Sequence, residues 1–171
     1  MVEEHDGWFV VNVEDARWYR NAAFGSTCVF EKEGAQFEQT GVRLVVLEPG
    51  KPNCRYHREN AQEDFLVLSG ECLLLVNGEE RRLGAWDYFH CPPGVTHVFV
   101  GAGESPCIIL MIGHRPKQWE VFYPESDLAR PHGAEAPEPT PDPKVAYSDA
   151  PNWEKTTPPT WPIDSGSSLF F

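Results

Sequence analysis

Positive charge is scarce in this chain: Lys and Arg total 14 against 26 Asp and Glu, a formal net charge of −12. Such a field repels the phosphates of nucleic acids and anionic membrane surfaces, so neither is expected as a partner. Long apolar runs are missing as well. No segment approaches the ~20 apolar residues of a membrane-spanning helix. The opening Met1-Val2-Glu3-Glu4-His5-Asp6 has neither a basic stretch nor an apolar core, so no secretory leader is expected. The five cysteines, Cys28, Cys54, Cys72, Cys91 and Cys107, are odd in number and show no CxxC spacing. A cytoplasmic setting with reduced thiols follows. Cysteines in apolar company, as in Cys107-Ile108-Ile109-Leu110, read as small core residues rather than nucleophiles. No sustained 3.6-residue periodicity suggests a long helix.

What is present is a series of short β-rich runs in a chain of 171 residues, enough for one core. Residues 7–13, 26–31, 36–39, 42–47, 65–68, 72–76, 79–83, 98–100 and 108–112 read as strands, separated by Gly and Pro turns. Glu14 to Arg20 is expected to form a short helical turn. Asn77-Gly78, between two such runs, is a strong hairpin signal because a type I′ turn needs positive φ at both positions. Short strands at near-regular spacing predict an all-β barrel or sandwich. Composition shifts after about residue 115, with 11 of the 16 prolines from Pro116 onward. That excludes long helices and central strands. The same stretch carries Trp119, Phe122, Tyr123, Tyr147, Trp153, Trp161, Phe170 and Phe171, too much aromatic surface for a solvated linker. It is expected to form an extended arm packed on its own barrel or on a neighbouring subunit, with a helical turn between Tyr123 and Arg130 capped by Ser126. Three regions result: N-terminal strands over 1–40, the barrel core over 41–115 and the arm over 116–171.

Chemistry concentrates in two framed segments. The first runs Gly50-Lys51-Pro52-Asn53-Cys54-Arg55-Tyr56-His57-Arg58-Glu59-Asn60-Ala61-Gln62-Glu63 and then six residues to Gly70. The second runs Asp87-Tyr88-Phe89-His90-Cys91-Pro92-Pro93-Gly94-Val95-Thr96-His97. Two imidazoles and a carboxylate, His57, Glu63 and His97, suit a divalent transition metal with coordination positions left open. Glu59 lies two residues from His57, so both face the barrel interior if the segment is a strand. It then ligates the metal as a fourth donor, accepts a proton, or turns outward to pair with Arg58 or Arg55. Arg55 has the parity of His57 and either holds a substrate carboxylate or phosphate or makes a surface ion pair. Gln62 reads as a rim residue, His90 and His114 as structural or surface groups, and Trp86, Phe65, Val67, Leu75 and Phe99 as core.

These segments resemble the two motifs of the cupin family over roughly residues 41–113. Gly50, His57, Glu63 and Gly70 fit the first, with one extra residue after Gly50; Pro92, Gly94 and His97 fit the second. Three positions depart from the pattern: Glu59 replaces a second histidine, Trp86 an opening glycine and Gly101 a final asparagine. The resemblance implies a small jelly-roll barrel with a metal inside and often a homodimer. The metal expected first is Fe(II), with Mn, Ni or Zn as alternatives, since affinity order alone does not choose among them. The His57-to-Glu63 spacing is similar to that of 3-hydroxyanthranilate dioxygenases in the same superfamily, an analogy of ligands only. A dioxygenase acting on a small organic molecule is therefore the first expectation. A metal-dependent isomerase or lyase with Glu59 as base, or a non-catalytic small-ligand-binding barrel, is the alternative.

Overall fold

The computed structural model describes the backbone of residues 2–5 and 7–160 and the side chains of residues 7–160. Fourteen strands are assigned: β1 (Val2–His5), β2 (Trp8–Val11), β3 (Arg17–Asn21), β4 (Gly25–Val29), β5 (Thr40–Leu47), β6 (Arg58–Glu59), β7 (Glu63–Ser69), β8 (Glu71–Val76), β9 (Glu79–Gly84), β10 (Tyr88–Cys91), β11 (His97–Ala102), β12 (Cys107–His114), β13 (Val121–Phe122) and β14 (Glu154–Thr156). A 3-10 turn at Arg130–His132 and a one-turn helix, α1 (Pro143–Ala146), complete the set. No helix among the described residues is long and apolar enough to cross a membrane.

All strand pairs are antiparallel. One sheet runs β10-β7-β12-β5-β4-β3-β14 and faces a smaller one, β11-β8-β9. Between them lies a core of alternating residues, among them Val45 and Leu47 of β5, Phe65 and Val67 of β7, Leu74 of β8, Phe99 of β11, and Ile109 and Met111 of β12. This is a jelly-roll, and the period-2 alternation of β5 decides which of its residues enter the core. Leu44 and Val46 turn to the opposite face and pack with Trp18, Cys28 and Ile108. The back of the small sheet is covered too: Leu75, Val98 and Val100 meet Ala129 and Ala134 of the C-terminal arm. Burial on both faces explains why Cys72-Leu73-Leu74-Leu75-Val76 is a continuous apolar run rather than an alternating one.

The Asn77-Gly78 hairpin forms as expected, with φ of 47° and 82° between β8 and β9. Four of the five cysteines are buried and all are free. Burial pushes the Cys28 and Cys91 thiols up to about 12, and a hydrogen bond with Cys107 together with burial raises Cys72 as well, which favours the protonated form of all three.

Four sequence expectations are corrected. Residues 17–21 are strand, not helical turn, because pairing with β4 on one side and β14 on the other captures them. Trp18 is buried there with its indole N–H donating to the Val13 carbonyl at 2.8 Å. Residues 36–39 are not a strand: the Phe37 N–H goes to the Glu31 carboxylate at 3.1 Å and its carbonyl to Arg115 at 2.5 Å, so its backbone groups are taken by side chains. Trp86 does not fill the core. It is 63% exposed and adopts φ 74° in the Gly84–Asp87 turn, which is closed by Asp87 N–H to the Gly84 carbonyl. A turn of that shape favours glycine at its third position, which accounts for the glycine of the motif. The arm is more structured than an extended strap. β13 pairs with β6 and β14 with β3, and Ser126 Oγ accepts from Ala129 N–H at 3.2 Å. Trp161, Phe170 and Phe171 lie outside the described residues.

Candidate metal centre

Residues 50–57 run beside β11 as an irregular strand. Gly50 N–H donates to the Gly101 carbonyl at 2.8 Å, Gly101 N–H to Lys51 at 2.9 Å and Asn53 N–H to Phe99 at 2.9 Å. Pro52 interrupts the ladder because it has no N–H, and the Asn53 side-chain oxygen accepts from Phe99 N–H at 2.8 Å. Backbone approach is close enough that a Cβ on Gly101 would stand 2.3 Å from the Glu48 carbonyl oxygen. Glycine is therefore required where the family pattern has asparagine. At the far end His57 N–H donates to the His97 carbonyl at 3.2 Å and His97 N–H to the His57 carbonyl at 2.8 Å. Pro92 and Pro93 end β10, and Gly94 N–H donates to the Glu59 carbonyl at 2.7 Å, tying the turn of the second segment to the first.

This scaffold brings His57, Glu63 and His97 together, with one donor atom from each within 4.8 Å of the others. His97 Nε2 is 3.4 Å from Glu63 Oε2, and His57 Nε2 is 3.3 Å from Glu59 Oε1. Each imidazole has Nδ1 against the carbonyl of the residue two before it, Arg55 at 2.8 Å for His57 and Val95 at 3.2 Å for His97. An Nδ1–H donated to that carbonyl leaves Nε2 to face a metal once His57 gives up its second proton, the arrangement metal-ligating histidines adopt. The donor set thus fits a divalent transition metal. Glu59 stands beside the three-donor group. Its second oxygen accepts from the Trp119 indole at 2.8 Å.

The electrostatics separate the four groups. Burial and the His57 charge push His97 down to about 3, so it is neutral and its contact with Glu63 is not an ion pair. Burial opposes a charge on His57 as well, but the Cys54 thiol and the Glu59 and Glu63 carboxylates outweigh it and hold His57 well above its usual value. Burial together with the Glu59 charge pushes Glu63 up to about 7. Burial would also raise Glu59, yet hydrogen bonds from His57 and Trp119 prevail and keep it below the usual carboxylate value. Of two neighbouring carboxyls, one is ionised at neutral pH and the other is balanced between states.

The cluster opens into a cavity of about 630 Å³, with walls that include Phe24, Phe65, Trp119, Tyr123, Tyr147 and Trp153. Glu59 and Trp119 also line a separate outer cleft. Arg55 does not line the cavity. Its guanidinium donates to the carbonyls of Gly133 at 2.9 Å, Glu135 at 2.7 Å and Ala146 at 3.2 Å, and to Asp149 at 2.5 Å, with Phe24 and Tyr147 against its faces. It is the clamp that holds the arm, and the expectation of substrate contact through Arg55 is corrected on that ground. Gln62 is exposed, and His90 is an exposed group bound to Asp64 at 2.8 Å. Sequence reading missed Tyr123, whose ring lies 5.7 Å from that of His57. It also missed Arg43 in the cavity wall. The parity of Arg43 with Val45 and Leu47 carried the signal.

A family model for the cupin domain matches residues 43–113. Among solved structures the chain is similar to a sugar phosphate isomerase of the cupin superfamily from Silicibacter pomeroyi, at 23% identity over 69% of this chain and 83% of that one, with a TM-score of 0.61. It is also similar to the polyketide cyclase RemF from Streptomyces resistomycificus, at 15% identity over 64% and 82%, with a TM-score of 0.55. It spans 64% of a candidate sugar phosphate isomerase from Acidithiobacillus ferrooxidans, at 25% identity over 55% of this chain and a TM-score of 0.49. No curated protein matches the sequence. At these identities the likenesses speak for the fold. With the matching family model and the jelly-roll around the two histidines, residues 43–113 form a cupin domain.

Proposed function

We propose that this protein is a metal-dependent enzyme that moves a proton on a small hydroxy-carbonyl compound, as an isomerase or lyase does. The observation that carries this reading is Glu59: a carboxylate held ionised at 3.3 Å from His57 Nε2, beside the three-donor group. His57, Glu63 and His97 would hold the metal, which when bound supplies Lewis-acid polarisation of a substrate oxygen. For an isomerase, Glu59 would take the proton from carbon and return it to the neighbouring carbon while the hydroxyl proton passes to the former carbonyl oxygen; for a lyase, it would take the proton from the carbon next to the bond that breaks. Trp119 fixes the carboxylate through its indole N–H, and aromatic side chains line the cavity beside it. Proteins named as an isomerase and as a cyclase share the fold.

The test is exchange of substrate C–H with solvent deuterium, followed by NMR over a panel of hydroxy aldehydes, ketones and acids with metal-loaded protein. Exchange that is lost in Glu59→Gln while metal content stays unchanged is expected. Exchange that survives in Glu59→Gln contradicts the assignment.

A dioxygenase is the second reading. It is favoured by the donor set itself, two imidazoles and one carboxylate, which suits Fe(II) with positions open for oxygen and substrate. Substrate-dependent oxygen uptake by the iron-loaded protein decides for it. Mn, Ni or Zn would serve the proton transfer in place of iron. A homodimer is proposed as well, supported by Tyr88 and Ile112 exposed on the outer side of the large sheet. Sedimentation that shows monomer at every concentration removes it.

A further inference from the structure

Arg43 projects from β5 with the parity of Val45 and Leu47, the residues of that strand that enter the core. Alternation therefore turns its side chain toward the barrel interior, and it lines the cavity while staying exposed to solvent. Among the described residues its guanidinium makes no hydrogen bond and no ion pair at contact distance, though its charge acts on the Glu31 and Glu63 carboxylates. Arg115 next to it is different, bound to the Glu31 carboxylate at 2.6 Å and the Phe37 carbonyl at 2.5 Å. Register sets the span. Arg43 lies opposite Met111 of β12, and Glu63 of β7 lies opposite Gly113 of the same strand. Two strand spacings of about 4.8 Å, roughly 10 Å, thus separate the strand of Arg43 from that of Glu63. Gly113 leaves the floor between them without a side chain; a Cβ there would stand 3.8 Å from the Glu63 side chain.

We propose that Arg43 is the anion-binding residue of this cavity, and that the molecule reaching the His57–Glu63–His97 cluster is a small organic anion whose carboxylate or phosphate group is held by the Arg43 guanidinium. The inference rests on the reading of that cluster as the reactive centre and adds the substrate class. A guanidinium fork matches either oxyanion through paired N–H donors. The space from Arg43 to Glu63 suits a body of a few carbon atoms lying against the aromatic walls, in a cavity of ordinary small-ligand size.

Calorimetric titration of the Mn²⁺-loaded and the metal-free protein with inorganic phosphate and with benzoate tests this, using wild type, Arg43→Gln and Arg43→Lys. Wild type should bind at least one probe. Arg43→Gln should bind it at least about tenfold more weakly, the loss expected for a charge-assisted contact, and Arg43→Lys should fall between. Binding of phosphate alone identifies a phosphate subsite and binding of benzoate alone a carboxylate subsite. Equal binding by wild type and Arg43→Gln, or no binding of either probe to the loaded wild type, overturns the proposal. Mn²⁺ binding is read in the same experiment and should be unchanged or tighter in Arg43→Gln, where a positive charge near Glu63 is gone. Failure to take up Mn²⁺ would refute the metal-centre reading separately.

Discussion

His57 and His97 are cross-strand partners that exchange both main-chain hydrogen bonds, at 3.2 and 2.8 Å, with ring centroids 5.1 Å apart. Their placement is a property of the backbone before it is one of rotamers. In the irregular segment 50–57 this pairing stands in for regular strand geometry.

Loss of one partner should leave the other in place. His97→Ala is expected to reduce metal affinity at least about 100-fold, since one ligand of three is removed. It also leaves a buried space that costs about 2 kcal/mol or more. Metal titration beside urea unfolding separates the two effects, and unchanged affinity would remove His97 from the ligand set.

The metal-free protein should be less stable at pH 8 than at pH 5.5. Glu63 has its folded pKa raised from 4.5 to about 7, so the native state binds the proton more tightly than the unfolded chain. Its stabilising contribution is whole below 4.5 and is lost as pH rises through about 7. Denaturation midpoints of metal-free wild type and Glu63→Gln should converge at low pH and separate above 7, with Gln the more stable. Metal binding runs the other way: protons on Glu63 and His57 compete with the ion, so affinity should rise with pH and binding should release protons.

Arg55→Ala should unfasten the arm. It leaves the carbonyls of Gly133, Glu135 and Ala146 without their donor, and a loss on the order of 3 kcal/mol is expected. Limited proteolysis should then cut within residues 133–150. An intact arm and unchanged stability would contradict the clamp.

One turn position and one strand position give opposite outcomes. Trp86→Gly should be neutral or stabilising by about 1 kcal/mol, because it relieves positive φ at an exposed site. Gly101→Ala should be strongly destabilising, since its Cβ meets the Glu48 carbonyl at 2.3 Å. Thermal melts of the two variants check both. A large loss in Trp86→Gly would mean that the tryptophan packs after all.

How legible this was depended on how local each signal is. Glu63 follows His57 by six residues and His97 follows Gly94 by three, each inside one framed segment, so the segments reveal them directly. β10 leaves little trace in the sequence because Tyr88-Phe89-His90-Cys91 has weak apolar alternation and owes its state to pairing with β7. Parity misplaces Arg55 because the i, i+2 rule holds in regular strands and segment 50–57 is not one. Its partners lie about 80 to 95 residues further along, a separation no local pattern reports. Residue type puts Trp86 in the core, whereas its place follows from the φ that the turn demands.

The central claim is that His57, Glu63 and His97 hold a metal, and elemental analysis tests it most directly. Protein purified without chelator and then reconstituted with Fe(II), Mn or Zn should carry close to one equivalent of divalent metal, and His97→Ala prepared in parallel should carry almost none. A wild-type protein that takes up no metal, or a variant that keeps it in full, would contradict the account.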